Sequence, residues 1–295
     1  MSPLISPRSA PFGLIIGCII FGLGSVIVAH VPVGAYAMAF WRLAVAGVIF
    51  WGLARWFGQI FPAGGAARRN ALAAGAFLGL DLALWHESIY AVGPGISTLL
   101  NSLQIFWLTT IGVLCFRERL SRLQSGSLLL ATLGVAMIST PEFGHNGRAL
   151  WGFVSGIVSG LMLALSMVFV RKTHHAAHTP IFPLMLHISL GGTLVLLLPM
   201  FLFNGNNFLP TTFAQLGWIV VYGAVMQCLA WGLIAYSIPM LSLSLTGLLL
   251  LSEPVAALLI DAFLLGKPIN ALQWTGAVLT MTAIYLGSLK PKTPS

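Results

Sequence analysis

Charge is what this chain has least of: only 7% of its 295 residues are charged, and only six are acidic. A soluble domain carries about a quarter charged residues. With 58% apolar residues and a mean hydropathy of +0.96, an ordinary water-facing globule is excluded and the solvent must be largely lipid. Cysteine is scarce too. Cys18, Cys115 and Cys228 lie far apart in apolar runs, which excludes a disulfide framework or a zinc-binding spacing. No Gly-rich phosphate loop and no soluble stretch longer than a short loop is present, so no cofactor and no metal is expected, and ATP-driven transport would need a partner chain. The net charge of +8 does not make a nucleic-acid surface, because the basic residues are scattered along the chain.

What the chain has in abundance is long apolar runs. Crossing about 30 Å of hydrocarbon takes roughly 20 residues of helix, since only a helix or a closed barrel satisfies its own backbone there. These runs lack the alternation of barrel strands. Read between Gly, Pro and charge punctuation, they give ten spans near 11–30, 35–57, 71–92, 96–116, 123–140, 149–170, 181–203, 213–237, 242–265 and 271–289. The first, with Arg8 ahead of it, has the look of a signal peptide; its length and the nine runs that follow make it a retained helix. With the N-terminus in the cytoplasm, eleven basic residues (Arg8, Arg55, Arg68, Arg69, Arg117, Arg119, Arg122, Arg171, Lys172, Lys290, Lys292) fall inside and only Arg148 and Lys267 outside. Arg42 alone falls within a span.

The chain also repeats itself. Asp81, Trp85 and Tyr90 of the third span match Gln227, Trp231 and Tyr236 of the eighth at an offset of 146. Gly13 and Gly17 match Gly152 and Gly156, Gly47 matches Gly192, Ser97 matches Thr246, Gln104 matches Glu253, and Leu123-Gln124 matches Leu272-Gln273. Each half therefore carries five helices, and because five is odd the second half enters from the opposite side. The expectation is an all-α membrane protein of ten transmembrane helices in two inverted five-helix repeats, 11–140 and 149–289, with both termini cytoplasmic. Such repeats build alternating-access transporters with midplane sites.

The ten-span pattern, the doubled halves, Trp41-Arg42, the run Cys115-Phe-Arg-Glu118-Arg-Leu120 with Gln124-Ser-Gly126, and Ser252-Glu253-Pro254-Val255 resemble the EamA-type branch of the drug/metabolite transporter superfamily. Lys267 stands where an acidic counterpart of Glu118 is expected, and Ile105 where a proline would mirror Pro254. Within that branch the chain is most similar to the amino-acid and metabolite exporters. The resemblance implies a monomeric secondary transporter of a bacterial cytoplasmic (inner) membrane that exports small polar metabolites, foremost amino acids including aromatic ones. It also implies a cavity between the first four spans of each half, with the fifth and tenth peripheral. Efflux of cationic or aromatic drugs in exchange for protons is the alternative.

Ionisable groups in hydrocarbon are costly, which makes each a candidate for function. On the third span Asp81, Trp85 and Ser88 share one helical face, while His86, Glu87 and Tyr90 fall on the opposite arc. His86 and Glu87 have no polar counterparts in the second half and suit gating; Glu87 is expected to pair with Arg42, as an outer gate or as a structural ion pair. Ser97, Asn101 and Gln104, with Trp107 beside them, form a polar stripe on the fourth span that Thr246, Leu250 and Glu253 repeat on the ninth. Glu253 is the candidate for a proton or cation, against a plain hydrogen bond to a neighbouring helix. Trp41, Trp85, Tyr90, Trp107, Met162, Trp231 and Tyr236 can stack on cargo or simply anchor the chain in lipid. Arg42 can hold a carboxylate, and its counterpart His187 can titrate. His174 and His178 are one helical turn apart but lack a third ligand, so a solvated loop is the better reading. No catalytic dyad recommends an intramembrane enzyme, and a receptor has no need of inverted halves.

Overall fold

A computed structural model describes residues 9–24, 27, 31, 33–61, 64–92, 94–139, 148–205, 207–263 and 269–288. Arg8, Lys267, Lys290 and Lys292 lie outside them. The described residues fold into helices joined by short turns, without strands. In chain order they form α1 (Ala10–Gly22), α2 (Ala35–Trp56), α3 (Gly65–Val92), α4 (Pro94–Ser102), α5 (Gln104–Phe116) and α6 (Arg122–Ser139). There follow α7 (Ala149–Ala176), α8 (Ile181–Phe203), α9 (Phe213–Val221), a π-helix (Tyr222–Ala230), α10 (Trp231–Ser237), α11 (Leu243–Leu250), α12 (Ser252–Phe263) and α13 (Ala271–Ser288). Five helical stretches, 35–56, 150–176, 181–203, 213–240 and 243–260, are long and apolar enough to cross a membrane; Ala10–Gly22 and Leu100–Phe116 are apolar but shorter.

Helix starts explain one repeat match. Ser121 and Gln124 form a reciprocal capping box before α6, with Gln124 N–H donating to Ser121 Oγ (3.1 Å) and Ser121 N–H to Gln124 Oε1 (3.0 Å). Asn270 and Gln273 repeat it before α13 at 2.9 and 3.1 Å. The paired Leu-Gln dipeptides are thus a doubled start signal that satisfies backbone donors otherwise left open.

The packing follows the same doubling. Helix α3 lies on α7 and α8, and its second-half equivalent, the α9–π–α10 rod, lies on α1 and α2. The pairs α2 with α8 and α6 with α13 exchange onto themselves under the same five-helix shift. Leu43, Leu78, Leu82, Ile105, Leu108 and Trp231 fill the centre of this bundle.

Small residues permit the closest crossing. A Cβ on Gly75 would meet the carbonyl of Ile188, and one on Gly191 the carbonyl of Leu72, so α3 and α8 touch backbone to backbone. Gly17, Gly152 and Gly156, three of the repeat-matched glycines, likewise abut Ala230 and Ile234, Ala91 and Val92, and Ser88 and Leu100. Gly75→Leu or Gly191→Leu should therefore destabilise the bundle by more than the ~1–3 kcal/mol of ordinary overpacking, because a backbone cannot rotate away. Gly52→Leu, whose Cβ meets nothing, should leave the protein intact. Thermal unfolding in detergent checks this: a clear loss of melting temperature for the first two and none for the third.

Candidate functional site

The rods made of α4–α5 and α11–α12 are each broken, and residues beside both breaks line one cavity. Leu103 interrupts α4 and α5, Leu251 interrupts α11 and α12, and at each the backbone closes a three-residue turn (Leu103 N–H to Leu100 O, 3.2 Å; Leu251 N–H to Leu248 O, 3.2 Å). Pro254 explains the second break, since it removes a donor in the first turn of α12. The first occurs with Ile105 in that place. The hydroxyls of Ser102 and Ser252 return to Thr98 O and Leu249 O, both at 2.7 Å, and use carbonyls near the breaks.

The cavity is narrow and partly open. Phe21, Leu78, Asp81, Leu82, Trp85, Asn101 and Leu163 line it together with Trp231, Ile234, Leu250 and Glu253, so both halves contribute. Asp81 is buried and accepts from Asn101 Nδ2 at 2.9 Å; the same amide donates to Ser159 Oγ at 2.9 Å. Ser97 Oγ donates to Trp85 O at 3.1 Å and ties the broken rod to α3.

Beside the cavity lies a buried cation. Arg42 donates through Nε to Gln227 Oε1 (2.9 Å) and through Nη1 to the Tyr222 hydroxyl (3.0 Å), with its guanidinium 4.6 Å from the Phe21 ring centre. The Tyr222 hydroxyl also meets His86 Nε2 at 3.1 Å, and His86 Nδ1 meets Ala35 O at 3.1 Å. Tyr222 and Gln227 are five residues apart. In an α-helix that spacing leaves side chains about 140° apart. The π-helix, whose bonds run five residues back, turns both toward Arg42.

The expected Arg42–Glu87 pair does not form. Glu87 instead accepts from Trp151 Nε1 at 3.1 Å, because His86 and Glu87 leave α3 in different directions and only His86 reaches the guanidinium's neighbours. Tyr90 is half-exposed, its hydroxyl 3.3 Å from Val33 O. Trp41 donates to Phe208 O at 2.7 Å and pins the 208 loop. His187 packs at a tilt against Phe61 with ring centres 4.1 Å apart, and it does not line the cavity. Trp107, Met162 and Tyr236 are partly exposed and do not line it. Gln104 is buried beside the first break, and Thr246 is buried in the first turn of α11, where it returns its hydroxyl to Ser242 O. Tyr222, Phe21 and Ser159 escaped the sequence reading. The repeat itself held no signal for them, and a helical projection with an α step separates Tyr222 from Gln227.

At the end where α5 and α7 terminate, the halves are tied by Glu118. Its carboxylate accepts from Arg171 Nη1 (2.7 Å), Leu243 N–H (2.8 Å), Ser244 N–H (3.3 Å) and Ser244 Oγ (3.0 Å), and so caps α11 from another element. Burial by itself raises this carboxyl's pKa, but the two backbone amides, the Ser244 hydroxyl and the Arg171 guanidinium together hold it below the ordinary 4.5. A depressed folded-state pKa contributes stability in full above the unfolded value and loses it as pH falls through the folded one. Melting curves from pH 7 downward should show wild type losing its advantage over Glu118→Gln below about pH 4.5. A constant difference across that range would mean that the carboxylate charge is not what stabilises the junction.

The sequence model of the EamA-like transporter family matches residues 8–140 and again 150–289. A probable amino-acid metabolite efflux pump of Salmonella typhimurium is 24% identical over 67% of this chain and 68% of its own length. A protein of the same description from Escherichia coli K12 is 23% identical over 67% and 68%. A WAT1-related chloroplastic protein of Arabidopsis thaliana is 25% identical over 86% of this chain, which spans only 62% of that relative's length. One crystal structure shares the fold over 96% of both chains with a TM-score of 0.75 at 14% identity. Two successive matches of one family model, on an all-helical bundle whose packing repeats with them, mean that the chain belongs to the EamA-like transporter family and is a multi-pass membrane transporter rather than an enzyme.

Proposed function

We propose that the chain exports small polar organic metabolites, amino acids including aromatic ones foremost, by alternating access through the cavity between its two repeats. The observation that carries this reading is the cavity wall. Asp81, Trp85 and Asn101 come from the first half, Trp231 and Glu253 from the second, and residues beside both breaks belong to it. Broken helices at the interface of inverted repeats expose helix ends and freed carbonyls to a cargo at mid-membrane. The relatives described as amino-acid metabolite efflux pumps support the cargo class. In this reading all ten rods cross a bacterial cytoplasmic membrane, the units 11–140 and 149–289 are inverted, and the basic loops place both termini inside.

The residues then divide by position. Asp81, Asn101, Trp85 and Trp231 contact cargo, while Ser97, Gln104 and Thr246 shape the broken rods. Arg42, His86, Tyr222 and Gln227 hold the wall behind. Glu87 with Trp151, Tyr90 with Val33, and Trp41 with Phe208 close the outer side. Glu118 with Arg171 closes the inner one. Efflux of cationic or aromatic drugs in exchange for protons is the second reading, favoured by one observation: two acidic side chains, Asp81 and Glu253, share a cavity beside the buried Arg42.

Reconstituted liposomes decide between them. Labelled L-phenylalanine uptake above that of protein-free vesicles is expected, and its absence while tetraphenylphosphonium is moved would favour the second reading. Uptake at several fixed pH values, with and without an imposed proton gradient, should vary for wild type and be flat for Glu253→Gln. Identical profiles for the two proteins would remove Glu253 from the coupling step.

A further inference from the structure

Three buried N–H donors beside the cavity have no hydrogen-bond partner among the described residues: Arg42 Nη2, Gln227 Nε2 and Trp231 Nε1. Their side chains are only 1%, 0% and 2% exposed. A buried polar group left without a partner costs free energy, so three in one place ask for a common explanation. They are neighbours. Arg42 holds Gln227 through Nε at 2.9 Å, and Trp231 follows Gln227 by four residues on the same rod. All three are donors, and the guanidinium is the one cation among them. Such a group suits an anionic oxygen, which accepts several N–H bonds at once.

Phe21 stands at this place. Its ring lies 4.6 Å from the Arg42 guanidinium carbon and 6.4 Å from the Trp231 ring, and Phe21 and Trp231 are both cavity walls. Arg42 itself is not a wall. The aromatic face covers the cation and substitutes for a ligand, since a ring quadrupole attracts a guanidinium without satisfying its N–H groups. Phe21 is only partly buried, on the last turn of α1.

We propose that Arg42 Nη2, Gln227 Nε2 and Trp231 Nε1 form a carboxylate subsite of the cavity, covered by the Phe21 ring, and that this subsite selects cargo bearing a carboxylate. The proposal rests on the transport reading above for its cargo and sharpens it. The carboxylate of an amino acid takes the place of the Phe21 face, and the ammonium is left to Asp81 and Glu253, the carboxylates of the same cavity.

Calorimetric titration of the purified full chain in detergent tests it with three probes: L-phenylalanine, 3-phenylpropionate, which lacks the ammonium, and 2-phenylethylamine, which lacks the carboxylate. Trp231→Phe keeps the ring and removes one donor. It should weaken phenylalanine and phenylpropionate about tenfold, the effect of losing a hydrogen bond to a charged group, and leave phenylethylamine within about twofold. Gln227→Glu keeps the acceptor that Arg42 Nε uses and sets a carboxylate in the subsite. Phenylpropionate binding should be abolished in it. Phe21→Ala should raise the affinity for phenylpropionate relative to phenylethylamine several-fold. Equal losses for all three probes in Trp231→Phe, or no binding of phenylpropionate to wild type, overturns the subsite. The same proteins in liposomes separate the two claims: carboxylate-selective binding without transport leaves the subsite standing and sinks the transport reading. Transport of phenylalanine and phenylethylamine with no discrimination does the reverse.

Discussion

Hydrocarbon offers no hydrogen-bond partner, so a polar group that this bundle buries depends on partners within the bundle or on a bound ligand. Arg42 is where that constraint is most severe, because it is a permanent charge at 1% exposure. Its solution organises the centre of the molecule. The guanidinium on α2 holds Gln227 and Tyr222 on the π-helix, Tyr222 holds His86 on α3, and His86 returns to Ala35 at the start of α2. That closed circuit joins the two halves and sets the local winding of the second. An α-helical rod would present only one of the two partners to Arg42.

The same constraint explains why a doubled scaffold is electrostatically lopsided. Each acid of the cavity has an amide as its counterpart: Asp81 against Gln227, and Glu253 against Gln104. The exchange preserves shape and hydrogen bonding while it moves charge. Asp81 accepts from an Asn101 amide, and Gln227, in the equivalent place, accepts from a guanidinium. A symmetric pair of carboxylates would have required two cations or two protons in a space that holds one Arg. The result is a cavity that takes one acid from each half, at non-equivalent positions, on a frame that repeats.

At the ends of the rods, where polar groups are less isolated, a helix terminus does the work of a counter-charge. Lys267 stands in the sequence where an acidic counterpart of Glu118 is expected. The actual partners of Glu118 are Arg171 and the first amides of α11. The positive end of one half's helix thus receives the acid of the other. Closure of the bundle at this end depends on a junction between halves and not on a matched pair.

The helical class, the doubling and nearly every helix boundary were legible in the sequence, because they follow from local properties: unbroken apolar length, capping residues such as Gln124 and Gln273, and the order of Trp, Tyr and Gly matches. The polar stripe over Asn101 and Glu253 was legible for the same reason. What the tertiary structure alone decided depends on departures from α geometry and on partners distant in sequence. The π winding at Tyr222–Ala230 brings Tyr222 beside Gln227, a pairing that a 100° step per residue hides. The break at Leu103 occurs without a proline to announce it. Glu87 found Trp151 and not Arg42 because adjacent side chains on a helix diverge by that same step, and which of two neighbours meets a distant cation is settled only when the helices pack.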